Sequence, residues 1–348
     1  MRAVNTELAT KLLLVALPGF YGNVIKGALE KIGFEVDLLN ERPSESVSFK
    51  ASVRLGMGIY DSFTKRYYCN ALEKRRNSHY DVVLVLRGEY LAEDSIRAYR
   101  DAFPSARFIL YMWDSLSNYP FVKKRWGLYD SVYTFDPIDA ESSGGEAIFR
   151  PLFYGMECTR AANSPNLAKN YDIATIATAH SDRPEIVSQI NHQCEKAGGR
   201  TYCYWYMPSP ALFYYNKLLN PSFKTVRRAD IHQSFLSTDE ACDIIASSVA
   251  TIDVEHPKQT GLTMRSIETI GLRAKLITTN KGITDYDFYN PDNILVIDRS
   301  NPVLDTDFLM SPYKELPTWI KEKYSVLGWL KEILDLKQWD GTEIDGLM

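Results

Sequence analysis

Residues 252–280, IDVEHPKQTGLTMRSIETIGLRAKLITTN, read as a strand, a polar loop, a helix and a second strand. Residues 250–254 are a short apolar, β-branched run, and His256-Pro257-Lys258-Gln259-Thr260-Gly261 is a polar turn holding a Pro and a Gly. The pattern predicts a helix that begins near Leu262 or Thr263 and stops at Gly271, with residues 276–279 as the next strand. A spacing of three places Arg265 and Glu268 on one face of that helix near its first turns. Backbone N–H groups leading into a helix N-terminus suit an anion, and a Glu one turn later can accept from the vicinal hydroxyls of a sugar. The unit has the shape of a site for a nucleotide diphosphate with its ribose. The plainer alternative is an Arg265–Glu268 ion pair that only stiffens the helix.

Working outward, the N-terminal half opens with a buried-type strand over residues 11–17, a turn Pro18-Gly19-Phe20-Tyr21-Gly22-Asn23, a helix over 24–32 ended by Gly33, and a strand over 34–39. In open α/β sheets ligands bind outside the carboxyl ends of the strands, so Gly19, Tyr21 and Asn23 are expected on the ligand-facing side. Gly19 and Gly22 alternatively do no more than permit a tight turn. Residues 45–78 read as helical, with their aromatics packing inward. Three further strands, 81–86, 107–112 and 131–135, end in Arg87-Gly88-Glu89, Trp113-Asp114-Ser115 and Asp136-Pro137. Glu89, Asp114 and Asp136 are therefore candidates for a general base. Asp114 is preferred, because Trp113 beside it offers an apolar face for a sugar ring. An Asp after a strand also commonly caps the next helix or turn, and for Asp136 before Pro137 capping is the better reading.

Ser142, Gly144 and Gly145 and the polar, Ala- and Asn-rich residues 160–170 have the composition of connectors, residues 148–155 cross toward the second half, and a fresh strand starts at residue 172. His180 and Arg183 follow it in a loop before a helix over 185–197, repeating the opening of the first half as two Rossmann-like domains would. Arg183 is the better charge partner for a diphosphate; a helix cap by Ser181 or Asp182 with His180 simply exposed is the alternative. The expected organisation is a first domain over 1–155, a second over 170–312, and a C-terminal helix within 313–348 that returns to the first.

Met264-Arg265-Ser266-Ile267-Glu268-Thr269-Ile270-Gly271, followed by Leu276-Ile277-Thr278-Thr279, resembles the donor-site helix of GT-B glycosyltransferases, above all bacterial capsule and lipopolysaccharide enzymes and the spore-maturation-like group. The resemblance implies an α/β fold of two Rossmann-like domains facing across a cleft, with Glu268 at the position that holds the donor ribose. Retaining members carry a second Glu eight residues earlier, where this chain has Thr260. On this reading His180, Arg183, His256, Lys258, Gln259, Thr260, Gly261, Arg265 and Glu268 form the donor site. Asp114 or Glu89 serves as base, and Gly19, Tyr21 and Asn23 lie on the acceptor side. His256-Pro257 also resembles the pair in bacterial sialyl- and ketodeoxyoctonate transferases, whose accompanying acidic-acidic-Gly motif is missing. No Asp-x-Asp pair follows a strand in the first half, so neither metal nor cofactor is expected. Lys258, Arg265 and Arg183 would instead stabilise the leaving diphosphate. The expected partners are a nucleotide-sugar and a saccharide or lipid-linked acceptor; a partner-binding module without catalysis and a sugar-nucleotide epimerase are the alternatives.

The 348 residues, 45% hydrophobic and 24% charged, suffice for two globular domains. A net charge of −4 argues against nucleic-acid binding. Lys74-Arg75-Arg76 and Lys123-Lys124-Arg125 are short basic clusters, either solvated or in contact with anionic headgroups. Five cysteines without ligand spacing point to a reducing compartment, and no apolar run approaches the roughly 20 residues of a membrane-spanning helix. The expectation is a cytoplasmic protein, with contact to the inner membrane face as an option.

Overall fold

The computed structural model describes residues 10–17, 19–54, 57–165, 167–257 and 260–336. These form two six-stranded sheets whose strands all pair in parallel. The first comprises β1 (Lys11–Ala16), β2 (Glu35–Asn40), β3 (Val82–Leu86), β4 (Arg107–Met112), β5 (Ser131–Thr134) and β6 (Ile148–Phe149), in the order β2-β1-β3-β4-β5-β6. The second comprises β7 (Tyr171–Thr178), β8 (Thr201–Tyr206), β9 (Ile231–His232), β10 (Ser248–Asp253), β11 (Lys275–Thr278) and β12 (Ile294–Val296), in the order β12-β11-β10-β7-β8-β9. Runs such as Leu12-Leu13-Leu14-Val15 are buried at every position, as strands covered by helices on both faces must be. By internal contacts one unit extends to Pro151 and takes in Leu330–Asp335, and the other holds Leu152–Trp329. Within the first, Arg150 Nε pairs with Glu332 at 2.6 Å and Arg107 Nη1 donates to the Leu334 carbonyl at 3.3 Å.

Strand order reverses once in each sheet, between β1 and β3 and between β7 and β10. Loops leaving the carboxyl ends of the two strands at a reversal depart to opposite faces and open a crevice where ligands of open α/β sheets bind.

Several elements differ from the sequence expectation. The first helix spans Phe20–Lys31 rather than starting at residue 24, so Gly19 is its N-cap and Tyr21 and Asn23 belong to its first turn. Gly22 permits this early start, since a Cβ there would lie 2.4 Å from the Leu17 carbonyl oxygen. Residues 45–78 hold two helices, Val47–Arg54 and Asp61–Glu73. The expected last helix is also two, Thr318–Tyr324 and Val326–Ile333. They break at Ser325, where the backbone turns aside to Tyr154: the Tyr154 amide donates to the Tyr324 carbonyl and the Val326 amide to the Tyr154 carbonyl, each at 2.9 Å.

The helix expected to stop at Gly271 spans Met264–Leu272, and Arg273 takes the left-handed turn at φ 51°. Gly271 serves packing instead. The Tyr154 ring lies so close that a Cβ at residue 271 would meet it at 2.4 Å, while the Tyr154 hydroxyl is anchored on the Lys321 carbonyl at 2.7 Å. Gly271→Ala is therefore expected to destabilise the protein by about 1–3 kcal/mol, the range for overpacking a buried contact, despite the better helix propensity of Ala. Urea unfolding of both proteins checks this; an unchanged or higher midpoint would mean the ring yields freely.

Candidate functional site

In the second unit the strand-loop-helix-strand reading holds, with β10, the helix Met264–Leu272 and β11 in sequence. The helix starts where expected because Thr263 caps it, its side chain accepting from the Ser266 amide. Arg265 and Glu268 lie on one face and pair at 2.6 Å, Glu268 being 6% exposed. Burial pulls the Arg265 pKa down, and Glu268, Cys242, Asp253 and Cys158 together more than restore it, so the guanidinium stays ionised. Packed against this pair are two free thiols, Cys158 and Cys242, with sulfurs 3.5 Å apart. Contact with Cys242, burial and the Glu268 charge push the Cys158 thiol well above its ordinary range.

The loops at the β7/β10 reversal carry the other expected residues. His180 and His256, one from each loop, approach to 5.7 Å between ring centroids. The His180 pKa is lowered to about 4, first by burial and then by Arg183 and His256, so the ring is neutral at physiological pH. Arg183 braces the crevice: Nε donates to the Val254 carbonyl at 2.7 Å and Nη1 to the Thr178 carbonyl at 3.1 Å, joining the ends of β10 and β7. The Thr260 carbonyl accepts from Asn280 Nδ2 at 3.2 Å, and Gly261 follows it toward the helix cap. Lys258 and Gln259 lie outside the described residues.

Three charged residues here escaped the sequence reading. Asp253, the last residue of β10, accepts from the hydroxyls of Thr263 and Ser266 at 2.5 and 2.7 Å, placing a buried carboxylate beside the helix start. Arg299, after β12, grips both oxygens of Asp182 at 2.8 Å and reaches Glu255 Oε1 at 2.9 Å. Glu255 also accepts from Thr279 at 2.6 Å. Hydrogen bonds from Arg299 hold the Asp182 carboxyl below its ordinary range. The only sequence signal for any of these was a charged residue at or shortly after the end of a strand.

In the first unit, Glu89 and Asp114 are brought together by Arg87, whose Nη2 lies 2.7 Å from Glu89 and 3.0 Å from Asp114. Arg87 adopts φ 76°, a conformation that disfavours side chains bearing a Cβ, and Gly88 follows at φ 67°. Glu41, after β2 and fully buried, completes the cluster by accepting from the Glu89 amide at 2.7 Å. Glu89 is buried and its pKa raised by burial, whereas Asp114 keeps 37% of its side chain exposed. Tyr21 and Trp113 meet at 4.6 Å between centroids, joining the first helix to the end of β4, and Asn23 is exposed on the next positions of that helix. Asp136 caps the helix Pro137–Ser142, accepting from the amides of Ile138 and Asp139, and takes the Ser115 hydroxyl on its other oxygen. Among the described residues no three His, Cys, Asp or Glu side chains converge as metal ligands would.

No protein-family model matches the sequence, and no curated protein matches it. Solved structures do match, over nearly the whole chain. Sucrose-phosphate synthase from Thermosynechococcus elongatus superposes with a TM-score of 0.52 at 10% identity, covering 97% of each chain. HepE from Anabaena, in complex with UDP and glucose, gives 0.59 at 10% identity over 94% of this chain and 99% of its own. UDP-GlcNAc 2-epimerase from Methanocaldococcus jannaschii gives 0.52 at 9% identity over 94% and 99%. With two Rossmann-like units of six parallel strands, the chain has the GT-B fold that glycosyltransferases share.

Burial with Glu89 nearby raises the Glu41 pKa to about 8 against an ordinary 4.5, with Arg87 opposing. Between those two values the folded protein holds a proton that the unfolded chain has released, so this group costs stability progressively as pH rises. Glu41→Gln, which keeps an acceptor for the Glu89 amide, should gain on the wild type from pH 5 toward pH 8, a window set by the values 4.5 and about 8. Unfolding midpoints across that range test it, and parallel curves for the two proteins would show that Glu41 does not titrate there.

Proposed function

We propose that this protein is a glycosyltransferase that moves a sugar from a nucleotide-sugar donor to a saccharide or lipid-linked acceptor in cell-surface polysaccharide synthesis, of the capsule or lipopolysaccharide type. The observation that carries the proposal is the Arg265–Glu268 pair on the helix that follows β10, beside the strand-order reversal of a GT-B fold. The second unit binds donor. Glu268, with one oxygen on Arg265, has its other oxygen to accept from ribose hydroxyls, and His256, Thr260 and Gly261 lie on the diphosphate side. His180, neutral, donates or accepts a hydrogen bond there rather than supplying charge. Lys258 and Arg265 supply the positive charge that a departing diphosphate requires, without a metal. Arg183 and Arg299 hold the loops open.

The first unit presents acceptor and base. Asp114, the more exposed of the carboxylates on Arg87, takes the acceptor hydroxyl's proton as its oxygen attacks the anomeric carbon and the bond to the diphosphate breaks. Glu89 and Glu41 position Arg87. The Trp113–Tyr21 pair offers an aromatic surface for a sugar ring, with Gly19 and Asn23 at its margin. The proposed setting is the bacterial cytoplasm at the inner membrane face, within the spore-maturation-like group. Among the described residues no helix is long and apolar enough to cross a membrane. A second reading, a sugar-nucleotide epimerase, is favoured by the likeness to UDP-GlcNAc 2-epimerase.

Thermal unfolding in the presence of UDP, GDP, dTDP, CDP and CMP tests the donor site. One nucleotide should raise the midpoint, by about 2.7 kcal/mol of stabilisation at a hundredfold excess over its dissociation constant, and Glu268→Gln should abolish most of that rise. With the matching nucleotide-sugar, slow release of free nucleotide without acceptor supports transfer. Conversion to an isomeric nucleotide-sugar supports the epimerase. Asp114→Asn should lower turnover by about a hundredfold with binding unchanged. No stabilisation by any nucleotide would remove the proposal and leave a partner-binding module.

A further inference from the structure

The helix Pro210–Leu219, PALFYYNKLL, is capped by Ser209 and buries one large side chain, Phe213. On the side away from Phe213 lie Leu212, Tyr214, Tyr215, Leu218 and Leu219, all exposed, up to 83% at Leu218 and 61% at each Tyr. A surface helix ordinarily places charge there. Here the solvent-facing arc is apolar throughout, and Phe235, also exposed, stacks on Tyr206 at the end of β8 close to where the helix begins.

The stretch of chain that carries this helix is basic, although Glu185 accepts from the Ser222 hydroxyl at 2.8 Å beside the turn. Between Glu195 and Asp230 the sequence holds Lys196, Arg200, Lys217, Lys224, Arg227 and Arg228 and no Asp or Glu, in a chain whose net charge is −4. Lys217 Nζ donates to the carbonyls of Lys224 and Val226 at 2.7 and 2.8 Å, drawing the basic turn onto the end of the helix. Lys224, Arg227 and Arg228 are exposed on that turn, Arg227 sharing its charge with Asp230. The short basic clusters noted in the sequence are different. Arg75 donates to the Ala71 carbonyl, Arg76 pairs with Glu73, and Arg125 donates to the carbonyls of Gly88 and Leu91.

We propose that the helix Pro210–Leu219 and the basic turn after it form a docking face for an anionic lipid bilayer. Leu and Tyr side chains on one face with Lys and Arg beside them are the chemistry of a helix lying in a membrane interface. The apolar side chains enter the headgroup boundary while the cations meet lipid phosphates. Five side chains of one short helix offer less than the roughly 800 Å² per partner that a stable protein dimer buries. The face stands at the donor-loop edge of the second sheet, since Asn220 Nδ2 donates to the Ser181 carbonyl at 3.2 Å. Its assignment is independent of the transferase reading, because vesicle binding needs no nucleotide.

Co-sedimentation of the full chain with phosphatidylcholine vesicles, and with vesicles of phosphatidylcholine mixed with phosphatidylglycerol, tests it. Binding should require phosphatidylglycerol and weaken with salt. Tyr215→Glu with Leu218→Glu, and separately Lys224→Ala with Arg228→Ala, should each lower partitioning roughly tenfold while leaving the unfolding midpoint near that of the wild type. The second pair keeps the apolar face intact, so it reports on docking even if the first disturbs folding. Absence of wild-type binding, or binding that survives both variants, would overturn the assignment. So would a dimer in solution, without vesicle binding, that the glutamates dissociate.

Discussion

Reversal of strand order at the centre of each sheet is the constraint from which the rest of this structure follows. At that point two adjacent loops leave in opposite directions, and the backbone and side-chain polar groups exposed between them need partners. In the second sheet Arg183 ties the ends of β7 and β10 through carbonyls, and Arg299 joins the two loops through Asp182 and Glu255. The crevice is thereby held by fixed charges.

The first sheet solves the same problem with one arginine among three carboxylates. Arg87 sits in a backbone conformation that costs of order 1–3 kcal/mol for a residue with a Cβ. That strain places its guanidinium among Glu41, Glu89 and Asp114, where leaving three acids near one another without a cation would cost more. Burial then divides the acids by role: Glu41 and Glu89 have raised pKa values and little contact with water, while Asp114 stays partly exposed beside Trp113. A site with one accessible carboxylate and buried supporting acids suits proton abstraction from a hydroxyl better than a set of equivalent acids would.

A GT-B fold hosts more than one chemistry, as the likeness to both a synthase and an epimerase illustrates. What separates these chemistries is the acceptor: a transferase needs a second substrate and a base for it, and an epimerase does not. On the transferase proposal, the Asp114–Arg87 cluster is therefore the feature that separates the two chemistries, more than the helix after β10.

The sequence by itself determined the α/β class and most of the strands. An all-parallel sheet makes each strand a continuous apolar run, and residues such as Leu12 to Val15 or Leu276 and Ile277 announce it. It also placed the Arg265–Glu268 pair on one helix face, because a spacing of three is local geometry. Only tertiary structure decided the rest. Gly271 looked like a helix end, but Tyr154, more than a hundred residues away, is why glycine stands there. Arg183 was one basic residue before a helix until its bonds to Val254 and Thr178 showed it joining two strand ends, and Glu41, Asp253 and Arg299 were charged residues at or after strand ends until the sheet order brought their partners alongside. Periodicity reports the local environment of a side chain, whereas the pairing of charges from separate strands is fixed by the order in which those strands assemble.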